Sequence, residues 1–346
     1  MRINFLLWLD LVVHLYVAGR LLPAFPDGLP FVLMALLLAA SVLLVPTGLF
    51  ARRVAKPPAA DTLTWIGLLF MGLFSSLLVL TALRDVVLAA TWLAGLAAPL
   101  AIDRDSLRTV TAGAVPVVGF IVTLLGFFNA RRTAGVVTVD VAVDNLPAPL
   151  HGFTIVQISD IHVGPTIRTR YLQGIVDAVN RLQPDAVAIT GDLVDGTVAE
   201  LGRHVEVLRG LASRHGSFFV TGNHEYYSGV EPWLAELRRL GITVLHNQHV
   251  VIARDGAKLV LAGVSDFSAG HFSEAHRSDP RASLEGAPAD AAFRILLAHQ
   301  PRSAPAAEQA GFDLHLSGHT HGGQFLPWNF LVKLQQPFTA GMHQVG

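Results

Sequence analysis

The chain contains no cysteine, carries charge on only 15% of its residues, and has a formal net charge of −1 over 346 residues. Without cysteine, disulfide frameworks, thiolate zinc sites and cysteine nucleophiles are excluded, so any metal must be held by His, Asp, Glu or Asn. A sequence pI of about 7.0 leaves no field to attract a polyanion, and no nucleic-acid partner is expected. Soluble domains carry roughly a quarter charged residues. The low charge here, with 52% hydrophobic residues and a mean hydropathy of +0.49, excludes an ordinary soluble protein.

The scarcity is uneven. Residues 1–130 hold only eight Lys and Arg and six Asp and Glu, and His14 is their single histidine, whereas the other 14 histidines lie beyond residue 150. A membrane-spanning helix needs about 20 mostly apolar residues. Four stretches meet this, at 3–22, 29–50, 63–83 and 109–128, and define a transmembrane anchor over residues 1–130. Arg2 before an apolar run also resembles a signal peptide, but three further spans argue for retention in the membrane. Residues 86–100 are apolar yet short and follow Arg84-Asp85, so they read as the third helix continuing into the interface; the alternative is a fifth span. With four spans, Arg2, Arg52, Arg53, Lys56, Arg131 and Arg132 share one side against Arg20, Arg84, Arg104 and Arg108 on the other. The positive-inside rule then places both ends, and the region after the anchor, in the cytoplasm. Asp10 and His14, four apart on one helix face, could form an ion relay, but read better as a hydrogen-bonded pair packing helix on helix.

Beyond Arg132 the hydrophobic period changes. Val136–Val143 alternates as a strand, and Asn145–Gly152 reads as a turn or linker, so 131–152 is taken as a first strand and linker. From residue 153 to 346, β-type runs alternate with helix-type stretches, followed by further short strands. This predicts an α/β domain of two packed β-sheets flanked by helices, an αββα sandwich.

Polar residues cluster where those strands should stop: Asp160 and His162 in S-D-I-H, Asp192 in G-D-L-V-D, Asn223 and His224 in G-N-H-E, His299 after a strand, and His319 and His321 in S-G-H-T-H-G-G-Q. Ligands in open α/β sheets bind beyond the carboxyl ends of strands. Leaving out His224, the set offers seven oxygen or nitrogen donors, too many for one tetrahedral zinc but suited to two cations sharing a carboxylate. In D-x-H and H-x-H, an extended segment would point both donors the same way. Glycines at 191, 222, 318, 322 and 323 would allow tight turns around the cluster.

These motifs resemble the calcineurin-like metallophosphoesterases, in particular the membrane-anchored bacterial branch that includes the YkuE-like and YaeI-like proteins. The core motifs run from Asp160 to Gln324, and G-N-H-E-Y-Y-S-G at 222–229 with E-P-W at 231–233 is similar to that branch. The resemblance implies one metal held by Asp160, His162 and His321, a second by Asn223, His299 and His319, and Asp192 bridging both. It makes His224 the non-ligand acid for the leaving oxygen, and Asp195 a residue that orients the site. Two divalent ions are implied, Mn2+ first, with Zn2+ or Fe as alternatives. Family members continue past Gln335–Pro337 into a glycine-rich strand region, so the end at Gly346 implies either a truncated chain or a missing last strand.

The expected chemistry is attack of a metal-bridging hydroxide on a phosphodiester, phosphomonoester or pyrophosphate, with His224 protonating the leaving group. Anchoring beside lipid headgroups favours a lipid-linked substrate in the bacterial cytoplasmic membrane. Phe325, Leu326, Trp328 and Phe330 could form an apolar lip for it, or pack in the core, and His271 and His276 are the best further candidates for substrate contact. The remaining histidines lack motif spacing. The alternative from another class is a non-enzymatic membrane metal sensor or scaffold.

Overall fold

A computed structural model describes residues 3–97, 103–324 and 326–346. The chain divides into two units, Met1–Arg132 and Thr133–Gly346.

The first unit is helical: α1 (Ile3–Leu21), α2 (Leu29–Leu49), the single turn α3 (Ala51–Val54), α4 (Ala59–Ala97) and α5 (Arg104–Ala130). All but α3 are long and apolar enough to cross a membrane. α4 passes through Arg84–Asp85 unbroken, so residues 86–97 continue the third span, while residues 98–100 of that apolar stretch lie outside the described residues. At 1.5 Å per residue its 39 residues run about 58 Å, against a hydrocarbon core of about 30 Å. Without a hydrophobic effect between helices in lipid, close packing and polar contacts must hold them. Both are visible. A Cβ on Gly48 would sit 2.5 Å from the Gly67 Cα, so the backbones of α2 and α4 touch where neither carries a side chain. His14 binds the Asp10 carbonyl through Nδ1 (2.8 Å), faces the Asp10 carboxylate at 3.3 Å, meets Ser41 Oγ through Nε2 (2.9 Å), and stacks on Phe74. The buried Arg84 ties α4 to Thr111 and to the carbonyls of Arg20 and Arg108.

The second unit stacks two four-stranded sheets. The first, in order β1 (Ile155–Ile158), β2 (Ala186–Ile189), β3 (Ser217–Phe219), β4 (Thr243–Val244), is wholly parallel. In the second, β5 (Gln248–Arg254) runs antiparallel to β6 (Ala257–Gly263), which continues in parallel to β7 (Phe293–Leu297) and β8 (Leu314–Leu316). Side chains alternate across a strand, and β2 is buried on both faces. Val187 and Ile189 pack toward α6 (Thr169–Leu182), α7 (Val198–Val205) and Trp233, whereas Ala186 and Ala188 join Phe218, Leu261 and Ile295 between the sheets. The remaining helices are α8 (Asn223–Ser228), α9 (Val230–Arg239), α10 (Ala304–Ala310) and α11 (Trp328–Val332). A third apolar cluster, which includes Leu296 and Ala307, covers the outer face of the second sheet.

One expected element is absent. Residues 136–143 form no strand, and Val136, Val137, Val139 and Val141 are exposed. Alternation marks a face that could be buried, but a strand exists only where its N–H and C=O groups find a ladder partner. No ladder reaches this segment among the described residues.

Candidate metal centre

Five strand ends deliver the predicted donors to one place: Asp160 and His162 follow β1, Asp192 follows β2, Asn223 opens α8 after β3, His299 follows β7, and His319 and His321 follow β8. The backbone there is not extended, contrary to the expectation for D-x-H and H-x-H. Asp160 (φ 55°), His162 (53°), Asp192 (50°), His319 (70°) and His321 (49°) are all left-handed. Each such non-glycine residue costs about 1–3 kcal/mol and persists only where surroundings enforce it. Here the loops after β1 and β2 are zipped together. The N–H groups of Asp160, His162 and Val163 donate to the carbonyls of Gly191, Asp192 and Leu193 at 3.1, 3.1 and 2.8 Å. Gly318 permits the loop after β8 to close on them, because a Cβ there would collide with Ser159 Oγ and Asp160 Oδ2.

The donors fall into three overlapping groups whose ligand atoms lie within 4.8 Å of one another: Asp160, His162 and His321; His162, Asp192 and His224; Asp192, His299 and His319. Asp192 connects the two ends. Hydrogen bonds outside the cluster choose which nitrogen faces inward. His299 Nδ1 donates to the Thr190 carbonyl (2.8 Å), leaving Nε2 3.1 Å from Asp192 Oδ2 and 3.1 Å from His319 Nδ1. His162 Nδ1 is bound by Asp195 Oδ1 (3.1 Å), leaving Nε2 facing His321 Nε2 at 3.2 Å. Imidazole nitrogens that converge on each other and on a carboxylate, with Asp160 Oδ1 3.4 Å from His321 Nε2, suit a shared cation, and an outer carbonyl or carboxylate on the opposite nitrogen is how metal-binding histidines are oriented. Asn223 supplies an independent sign: its Oδ1 is buried without a hydrogen-bond partner. An orphaned buried acceptor costs about 1–3 kcal/mol unless something fills its lone pairs.

His224 stands at the edge of this group. Its N–H donates to Asp192 Oδ1 (2.9 Å) and its Nδ1 meets Asp195 Oδ1 at 2.5 Å, so one carboxylate orients both His162 and His224. Burial lowers the His224 pKa, but the bond to Asp195 and the charge of Asp192 outweigh it and raise the group above its ordinary value. Asp195 is held well below the carboxylate range, its burial outweighed by His162 and His224. Burial would likewise raise Asp192 and lower His299; their mutual ion pair reverses both, to about 2 and about 9. Burial pushes His319 and His321 down, helped by the neighbouring His299 at His319, while at His321 burial and His162 outweigh the opposing charge of Asp160; both lone pairs stay free.

Of the buried carboxylates outside the predicted set, Glu225 and Asp266 lie beside these loops. Glu225, fully buried, accepts the N–H groups of Gly222 (2.6 Å), Asp192 (3.0 Å) and Leu193 (2.8 Å), fastening the loop after β2 to the start of α8. Burial and the Asp192 charge push its pKa up to about 7. Asp266 accepts Gln300 Nε2 (3.0 Å) and the Ser268 N–H (2.8 Å), and Gln300 Oε1 in turn accepts Gln336 Nε2 (3.1 Å). Their shared signal was position: Glu225 completes G-N-H-E, and Asp266 follows β6 as Asp160 follows β1. Of the expected lip, Leu326 and Phe330 are exposed, while Phe325 and the Trp328 side chain lie outside the described residues. His271 is exposed; His276 bonds Tyr226 and Glu231 instead.

Residues 153–323 match the family model of calcineurin-like phosphoesterases. The chain is 39% identical over 280 residues to the Bos taurus transmembrane protein with metallophosphoesterase domain, covering 78% of this chain and 62% of that one. It is 34% identical to an uncharacterized metallophosphoesterase of Aquifex aeolicus (59% of this chain, 77% of the relative) and 31% identical to the Bacillus subtilis uncharacterized metallophosphoesterase YkuE (58% and 71%). The chain spans 62%, 53% and 56% of the length of three of the curated relatives it matches.

Proposed function

We propose, from the premise that the chain belongs to the calcineurin-like phosphoesterase family, that it is a membrane-bound, metal-dependent phosphoesterase working with two divalent cations. The observation that carries this reading is Asp192, which lies between two groups of inward-facing histidines. Asp160, His162 and His321 would hold one cation and Asn223, His299 and His319 the other, with Asp192 shared. The donor set fits: it is all oxygen and imidazole nitrogen, with Asn223 Oδ1 left open for a ligand. When bound, such cations supply a water acidified toward neutral pH and neutralise the charge of the phosphoryl oxygens. Manganese is our first choice.

The chain's own residues do the rest. Asp195 takes up His224 Nδ1 and so presents Nε2, with its proton, to a leaving oxygen. The raised pKa of His224 keeps that proton available near neutral pH. Asp195 also fixes His162, and the Thr190 carbonyl fixes His299, so the rings need not reorient when substrate arrives. The bond cleaved is a phosphodiester, phosphomonoester or pyrophosphate, and the four membrane-crossing helices support a lipid-linked substrate. The excess of six basic residues over four supports a cytoplasmic site in a bacterial cytoplasmic membrane.

The test is hydrolysis of bis-4-nitrophenyl phosphate by the detergent-purified full chain with manganese. EDTA should abolish it, and His224→Ala should lower kcat by about 100-fold or more. Turnover indifferent to both treatments would overturn the reading and leave a metal-binding scaffold. A reporter fused to the C-terminus reads the side of the membrane.

A further inference from the structure

The exposed flank of His224 is aromatic. The Tyr227 ring lies 5.3 Å from His224, Phe272 lies 5.7 Å from Tyr227, and Tyr226 lies 5.2 Å from Phe272. Tyr226 is buried and its hydroxyl is engaged by His276 Nδ1 at 3.1 Å, so it forms a fixed back to the group. Tyr227 and Phe272, by contrast, are 65% and 51% exposed. They come from separate elements, Tyr227 from α8 and Phe272 from the turn after β6, and they meet only beside His224. Two large rings left open to water next to a polar cluster mark a surface meant to be covered.

What covers it follows from the position of His224. With Nδ1 committed to Asp195, only Nε2 can serve a leaving oxygen, and the Tyr227 ring beside that imidazole offers apolar surface to whatever a leaving oxygen there carries. Tyr227 and Phe272 are inclined at 59°, which makes an open trough and not a parallel slot for a planar base. A flexible aliphatic chain can follow such a trough. The same chain carries four membrane-crossing helices, so aliphatic chains are the ligands at hand.

We propose that Tyr227 and Phe272 form an apolar leaving-group subsite beside His224, and that the substrate's leaving group carries an aliphatic chain lying across these two rings. This rests on the phosphoesterase reading above. The experiment measures inhibition of bis-4-nitrophenyl phosphate hydrolysis by ethyl, butyl, hexyl and octyl phosphate, using the full-length manganese-loaded protein in amphipol. Full burial of a methylene is worth roughly fourfold, so coverage of one side should tighten Ki by about twofold per methylene and roughly 60-fold from ethyl to octyl. In Tyr227→Ala and Phe272→Ala the chain-length dependence should fall to about threefold or less over the series. Tyr227→Phe should retain it, because only the ring is used. A flat series in an active wild type, or an unchanged slope in both alanine variants, would overturn the subsite alone. An inactive wild type would overturn the phosphoesterase reading and the subsite with it. A nucleoside monophosphate that outcompetes octyl phosphate, and loses that advantage in both alanine variants, would assign the rings to a planar base instead and refute the aliphatic chain.

Discussion

Asp192→Asn should remove the pH dependence that the metal-free protein owes to one buried ion pair. His299 Nε2 lies 3.1 Å from Asp192 Oδ2, and both side chains are almost wholly buried. Because His299 is raised to about 9, its contribution is fully present below about pH 6.5 and disappears as pH rises through 9. Because Asp192 is lowered to about 2, its contribution is present above about pH 4 and disappears as pH falls through 2. The pair is therefore whole near pH 6 and broken above pH 9. Counted from either partner it is worth about 2–3 kcal/mol. Asparagine keeps an oxygen for the His224 N–H but offers no charge to His299, which then stays neutral. For a unit of this size the loss corresponds to about 5–10 °C in melting midpoint. Scanning fluorimetry of the EDTA-stripped full chain should show that gap between wild type and variant at pH 6, and a gap below about 2 °C at pH 9.5. An equal gap at both pH values would refute the ion pair. The same proton occupies the nitrogen a cation needs, so manganese affinity of the wild type should rise about tenfold per pH unit between 7 and 8.5.

Asp195→Asn should move the alkaline limb of the pH–rate profile to lower pH and cut kcat about 10–100-fold, since the carboxylate charge that helps raise His224 is lost; an unmoved limb would mean that Asp195 does not govern the proton. Gly318→Ala forces a methyl into Ser159 and Asp160, and should cost about 1–3 kcal/mol of stability together with at least about tenfold in metal affinity, read by calorimetry. Glu225→Ala strands three buried N–H groups, and should lower the unfolding free energy by at least about 3 kcal/mol in urea denaturation monitored in EDTA.

The eight strands among the described residues, and the gathering of the seven candidate donors at their ends, were legible because each is written locally, as a short apolar run followed by a polar residue. The valine segment at 136–143 misled for the same reason. Val137 and Val139 carry the pattern of a strand, but pairing depends on a neighbour that no window of eight residues contains. The donors were legible as residue types, while their backbone was not. Asp160 and His162 turn left-handed because the loop after β2 offers carbonyls to their N–H groups, and that loop is 30 residues away in the chain. Glu225 shows where reading by residue type stops. Beside His224 it looks like one more acid in a motif, and it becomes a fastener only once Gly222, Asp192 and Leu193 point their N–H groups at one buried spot. Tyr227 and Phe272 lie 45 positions apart and acquire meaning only through the trough they form. Chemistry that needs one residue type at one strand end is therefore visible in sequence, whereas the contacts that orient it, and the surface that selects what it acts on, arise from packing between elements.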